Sequence, residues 1–239
     1  MKKFKYLLKT LIPPIIPIII EKIRKITDVK KEKKFSFNYE SNFYNRLAFV
    51  NKAISLYEGC KYLEIGVCTN EVFNSVPLSI LNKVGVDPVQ GGTHRMTSDQ
   101  FFKENKKKFS VIFIDGLHEY EQCQKDCINA LNSLEDDGII LFHDFLPRNA
   151  LEENVPPKQR TWSGDVWKVA VEINNSKNMD FVIVNIDRGI GLLKIKKGFE
   201  YIKNNELKNK DFNHFINDYY KKLPIVSSED GLNFLSNEN

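Results

Sequence analysis

The chain predicts an α/β fold: a mostly parallel β-sheet finished by an antiparallel hairpin, with helices on both faces. Three observations carry this. Short apolar runs at 61–66 (KYLEIG), 82–88 (NKVGVDP), 109–115 (FSVIFID) and 138–145 (GIILFHDF) alternate with helical patterns, the order that builds βα units. Each run stops at or beside an acid, as a buried parallel strand does when its carboxyl end opens onto a crevice, the edge where open α/β sheets bind ligands. The segment 179–197 (MDFVIVNIDRGIGLLKIKK) alternates apolar residues on either side of Asp187, Arg188 and Gly189 and reads as a tightly turned antiparallel hairpin.

A chain of 239 residues with 42% hydrophobic content has room for one full core with short appendages. Residues 1–35 stand apart. The run 7–20 (LLKTLIPPIIPIII) is apolar with lysines ahead of it, but it lacks a small-residue cleavage site. Pro13, Pro14 and Pro17 break any continuous helix, and the run is shorter than the roughly 20 residues a bilayer core requires. Two readings stay open: an interfacial anchor at the inner membrane face, with lysines on anionic headgroups, or a segment packed on the domain or on a second subunit as a homodimer.

Ser41 is placed to cap a helix whose Phe43, Leu47, Val50, Ile54 and Tyr57 follow a helical period. Gln100–Lys108 reads as a short helix and Glu119–Leu134 as a longer one. Residues 145–162 have no periodicity and carry Pro147, Pro156 and Pro157, the pattern of a binding loop at the carboxyl edge. A helix begins near Gly164 and Asp165, with Val166, Val169, Ala170 and Ile173 as its buried stripe; Trp162 and Trp167 then fall near the crevice rim, where aromatic faces suit a sugar ring or a flat acceptor, although a tryptophan in such a helix is as often core. Residues 211–222 form a further helix within a helical extension at 199–239.

The net charge of +4 is modest, and much of the positive charge sits at the N-terminus; no nucleic-acid partner is expected. Cys60, Cys68, Cys123 and Cys127 lack zinc-site spacing. They read as reduced, mostly buried thiols of a cytoplasmic protein.

The run 61–66 continues as EIGVCTN, with Cys68 and Asn70 where a nucleotide-binding turn usually has glycines; asparagine enters the left-handed region more readily than most residues. Asp87 follows Glu64 by 23 positions, about the spacing at which a nucleotide fold sets a carboxylate on ribose. Taken in order, residues 60–196 resemble the class I S-adenosylmethionine-dependent methyltransferases, a Rossmann-like fold with a seven-stranded sheet. DPVQGGTHRMTSDQFF with FIDGLHEYEQ looks like a small branch found with surface-polysaccharide or natural-product genes. The closing hairpin agrees, whereas a dinucleotide dehydrogenase continues with parallel βα units.

The resemblance implies a methyltransferase domain at 36–198. Glu64, Gly66 and Asn70 wrap the methionine part of S-adenosylmethionine, Asp87 holds the ribose, and Ser98 and Asp99, after a third strand, meet the adenine. It also implies a catechol-O-methyltransferase-like layout. Asp115 and Asp144 match two ligands of a divalent cation (Mg or Mn), Asp115 also bordering the cofactor, and His118 matches the base position. Phe145 stands where that branch has an asparagine ligand. On chemistry alone, His118 and His143 are the candidate general bases, with Trp162 and Asp165 toward the acceptor. The expected reaction is O-methylation of a sugar or glycan hydroxyl or another small molecule in polysaccharide biosynthesis. The alternatives are methylation of an amine or a natural-product phenol, and a catalytically silent scaffold in glycan assembly.

Overall fold

The computed structural model describes residues 44–237. The chain divides into Met1–Phe35 and Ser36–Asn239, and the expectations for residues 1–35, and for Ser41 and Phe43, lie outside the described residues. Among those described, no helix is long and apolar enough to cross a membrane.

Seven strands form one sheet: β1 (Tyr62–Ile65), β2 (Lys83–Val86), β3 (Phe109–Ile114), β4 (Leu134–Phe142), β5 (Lys177–Val184), β6 (Ile190–Glu200) and β7 (Ile225–Val226), in the order β2-β1-β3-β4-β6-β5-β7. Only β6 runs against the rest. β1 and β3 are buried along their whole length, as apolar runs covered on both faces must be. The expected seven-stranded, mostly parallel sheet with its antiparallel hairpin is therefore present.

Its edges differ from expectation. The third strand that the resemblance implies before Ser98 is reduced to one parallel bridge, Val86 with His94. Gly91 and Gly92 (φ +71° and +66°) fold 88–93 back so that Thr93 and His94 both donate to the Gly85 carbonyl, and Thr97 then caps the next helix. Too few residues remain for a strand. The seventh strand comes instead from β7, which pairs with β5; Ile225 and Val226, within the expected helical extension at 199–239, are thus part of the sheet.

On one face lie α1 (Arg46–Ile54) and the C-terminal α8 (Ser228–Ser236), whose Phe49, Val50, Ala53, Ile54 and Leu235 join Val111, Phe113, Ile139 and Leu141 in one core. Asn45 caps α1, its side chain accepting from the Leu47 amide. α2 (Glu71–Ser75) follows β1. On the other face are α3 (Ser98–Glu104), α4 (Tyr120–Ser133) and α6 (Trp167–Asn174). α3 starts two residues before the expected Gln100 because Thr97 and Gln100 make a capping box. The loop after β4 contains a short helix, α5 (Ala150–Glu153), and 211–222 begins as α7 (Phe212–His214) before widening and tightening through two further turns. Trp167 is fully buried, its ring 5.0 Å from Phe215 and 5.6 Å from Tyr219. Of the two readings, rim or core, it is core, because nearly every residue of α6 is buried.

Register aligns the site. Ile65 pairs with Ile114, and Ile114 with Phe142, so Gly66, Asp115 and His143 leave the sheet at one level. β5 runs parallel to β4, and Phe142 pairs with Gly191 of the returning β6. The hairpin turn at 185–189 is thereby delivered to the same edge.

Candidate active site

A cavity of about 780 Å³ opens at this edge, lined from Cys68, Asp87 and Ser98 at one end to Arg46, Asp115, His118, Asp144 and Arg188 at the other. Its size is that of a small-molecule site.

The first end is built by the turn after β1. Gly66 has φ +85°, and a Cβ there would lie 2.1 Å from the Asp115 carbonyl oxygen, so the turn closes against the β3 exit only as glycine. Cys68 and Asn70 have φ +48° and +65°, the left-handed conformations that glycines usually supply. Asn70 does not line the cavity as expected. Its Oδ1 accepts from the Gly92 amide at 2.8 Å, tying the turn to the loop after β2. Asp87 lines the cavity while accepting three backbone N–H groups, from Cys68, Val89 and Gln90 at 2.8–2.9 Å. Burial disfavours its charge, but these bonds outweigh that and lower its pKa. Glu64, 1% exposed, accepts from the Tyr62 hydroxyl at 2.8 Å; burial pushes its pKa up to about 8 despite that bond.

Ser98 and Asp99 line the cavity through the start of α3, and both accept from Gln122 Nε2 at 3.1 Å. Gln122 also donates to Asp126, whose carboxyl is pushed up to about 6 by burial. Gln122 and Asp126 of α4 also line the cavity and were missed from the sequence, where Asp126 looks like an ordinary polar position of an amphipathic helix.

At the other end two histidines and three aspartates meet. His118 Nε2 lies 3.4 Å from Asp115 Oδ1 and 3.3 Å from Asp144 Oδ2. His143 Nδ1 is 3.1 Å from the same two oxygens, and its Nε2 is 3.4 Å from Asp187 Oδ1. Burial would lower both imidazole pKa values. Asp144 and Asp115 outweigh it, raising His118 and raising His143 further. Burial opposes ionisation of Asp115, Asp144 and Asp187 too, yet the facing histidines keep all three below the usual carboxylate range, Asp187 at about 2.

His143, the second candidate base, does not reach the cavity. Its ring has no solvent exposure and no part in the cavity lining; it braces Asp115, Asp144 and Asp187. His118 does reach the cavity. Trp162 offers it a backbone carbonyl 3.0 Å from Nδ1 and a ring whose centroid is 5.3 Å away. Neither Trp162 nor Asp165 lines the cavity. The Asp165 carboxylate instead accepts from the Tyr120 amide and Lys168 Nζ, both at 2.7 Å, capping the start of α4.

Arg46, Asp187 and Arg188 were also missed. Arg46 of α1 bridges Asp115 Oδ2 and Asp187 Oδ2, both at 3.1 Å. Asp187 and Arg188 occupy the two centres of the hairpin turn, with φ +43° and +62°, and Gly189 N–H closes it on the Ile186 carbonyl at 2.7 Å. That is a type I′ arrangement, which normally favours Asn-Gly. Arg188 Nε pairs with Asp144.

A divalent cation fits this end. One ligand atom each from Asp115, His118 and Asp144 lies within 4.8 Å of the others. Phe145 supplies no ligand from its side chain, being fully buried and stacked on Phe142 at 5.0 Å.

Residues 78–145 match a family model described as a methyltransferase domain. No curated protein matches the chain. Among solved structures, the chain is similar to an O-methyltransferase from Bacillus cereus in complex with SAH (13% identity, 80% of this chain and 96% of that one, TM-score 0.45). It is similar also to the SAH-bound Podospora anserina methyltransferase PaMTH1 (15%, 57% and 72%, TM-score 0.45) and to TomG of Streptomyces achromogenes, an O-methyltransferase of tomaymycin synthesis in complex with SAM (10%, 63% and 76%, TM-score 0.43). The matched segment runs from before β2 to Phe145 and holds Asp87, Ser98, Asp99, Asp115, His118, His143 and Asp144.

Proposed function

We propose that this methyltransferase-domain chain is an S-adenosylmethionine-dependent O-methyltransferase acting on a hydroxyl of a small polar acceptor, a sugar or glycan unit being the class that suits it. The observation that carries the reading is the division of one cavity into two ends. At one are the glycine turn, Glu64 and Asp87; at the other are Asp115, His118 and Asp144.

With S-adenosylmethionine bound, Glu64 would hold the methionine ammonium, Asp87 the ribose hydroxyls, and the Ser98, Asp99, Gln122 and Asp126 group the adenine. The acceptor oxygen attacks the sulfonium methyl carbon in line with the departing sulfur: an O–C bond forms, the S–C bond breaks, and its electron pair neutralises the sulfonium. The hydroxyl proton passes to His118 Nε2. Trp162 keeps a proton on Nδ1 by accepting it in a hydrogen bond, so Nε2 is the nitrogen left to act. Holding acceptor and methyl donor in line supplies much of the acceleration. A divalent ion on Asp115, His118 and Asp144 would lower the pKa of the bound hydroxyl, with His118 then a ligand.

Among the described residues, no Phe, Tyr or Trp lines the cavity. Calorimetric titration with S-adenosylmethionine, and separately with NAD, tests the reading: heat is expected for the first and none for the second. Binding of NAD alone would overturn it.

A further inference from the structure

Arg188 is fixed by one edge and free at the other. Its Nε is held by Asp144, which has no exposure, while its side chain is 26% exposed and lines the cavity. Among the described residues its two terminal nitrogens have no partner. Arg46 repeats the arrangement. Nε is taken by Asp187 and Nη1 by Asp115, Nη2 has no partner among the described residues, and the side chain is 24% exposed on the same cavity. Each of the three carboxylates is thus paired with a guanidinium, and what the two guanidiniums present to the cavity is unpaired N–H.

A guanidinium buttressed along Nε by a buried carboxylate has a preset terminal edge, suited to bidentate contact with a planar or tetrahedral oxyanion. The sequence also places this arginine in the left-handed conformation, at φ +62°, where glycine or asparagine would be less strained. A free polar edge held in that way next to the reacting nitrogen is a recognition element.

We infer that the acceptor carries an oxyanion, a carboxylate or phosphate, close to the hydroxyl that is methylated, and that Arg188, assisted by Arg46, binds it. This rests on the methyl-transfer reading and narrows it. Uronic acids and phosphorylated sugars fit; neutral sugars lack the group the arginines bind.

The test uses the full chain saturated with S-adenosylhomocysteine, probed by calorimetry with D-glucuronate, D-glucose 6-phosphate and D-glucose. At least one anionic probe is expected to bind ten-fold or more tightly than glucose, and the stronger of the two identifies the oxyanion. Arg188→Gln should abolish that preference while S-adenosylhomocysteine affinity stays within about two-fold. Arg188→Lys, which keeps the charge but loses the fork, should retain only part of it. Equal binding of all three probes, or an anion preference that survives Arg188→Gln, overturns the inference. Failure of the wild type to bind S-adenosylhomocysteine at all would instead overturn the methyltransferase reading.

Discussion

The Trp162 carbonyl oxygen lies 3.0 Å from His118 Nδ1, while His118 Nε2 faces Asp115 and Asp144. A carbonyl only accepts, so Nδ1 carries a proton in every state of the ring, and Nε2 alone changes. The neighbouring carboxylates, overcoming burial, raise the His118 pKa, so Nε2 becomes a free base only above the ordinary value of about 6.5. Turnover should therefore rise with pH through a midpoint above that value. His118→Ala should lower kcat by roughly two to four orders of magnitude and remove this limb, with S-adenosylmethionine affinity nearly unchanged. A pH–rate profile of wild type and variant checks both.

Gly164 holds the same carbonyl in place. It has φ +64°, and a Cβ there would lie 1.6 Å from the His118 carbonyl oxygen. Gly164→Ala must push the 162–165 segment off His118, breaking the Trp162 contact. The expected result is a kcat loss approaching that of His118→Ala, together with a lower thermal midpoint. Unchanged kcat would mean that Trp162 does not orient the ring.

Asp87 carries a structural load besides its expected ribose contact. Its carboxylate is the acceptor for three backbone amides joining the β1 turn to the loop after β2. Hydrogen bonds to a charged group are worth about 1.5–3 kcal/mol each. Asp87→Ala should thus reduce both cofactor affinity and folding stability, the latter by on the order of 2 kcal/mol or more. Urea midpoints and calorimetry separate the two losses.

The strands were legible because each buried parallel strand is an apolar run ending in polar residues, and the reading of Asp115, His118 and Asp144 followed from those endings. Arg46 left no local signal. It is 141 positions from Asp187, and only the packing of α1 against the sheet joins them. Asp187 and Arg188 did leave one: the pair stands in a tight hairpin turn where glycine or asparagine is favoured, a local preference overridden by the site. The missing third strand was unreadable for a different reason, since Gly91 and Gly92 fold the chain back through backbone bonds that no hydrophobic period records.

The cation reading has its own readout. With Asp115, His118 and Asp144 as ligands, one of them an imidazole, Mn²⁺ should raise the thermal midpoint more than Mg²⁺. Asp144→Asn should remove the rise, and a chelator should depress activity in a way that added Mn²⁺ reverses. Chelator-resistant activity with no shift in midpoint would leave His118 as a base acting without metal.

Glu64 links cofactor binding to pH. Burial raises its carboxyl to about 8, so it is largely protonated at pH 7 in the free protein. The ammonium of S-adenosylmethionine favours the ionised form, and binding below about pH 8 must then release a proton. Affinity should increase as pH rises toward 8 and level off above it. The sign for folding is opposite. A carboxyl whose folded pKa lies above its unfolded value contributes stability that is fully present below about 4.5 and lost as pH rises through about 8; the free protein should lose stability over that window. Calorimetry in two buffers of different ionisation enthalpy counts the released proton, and Glu64→Gln should abolish both the release and the pH dependence of affinity. Binding by wild type without proton release at pH 7 would place the ammonium away from Glu64.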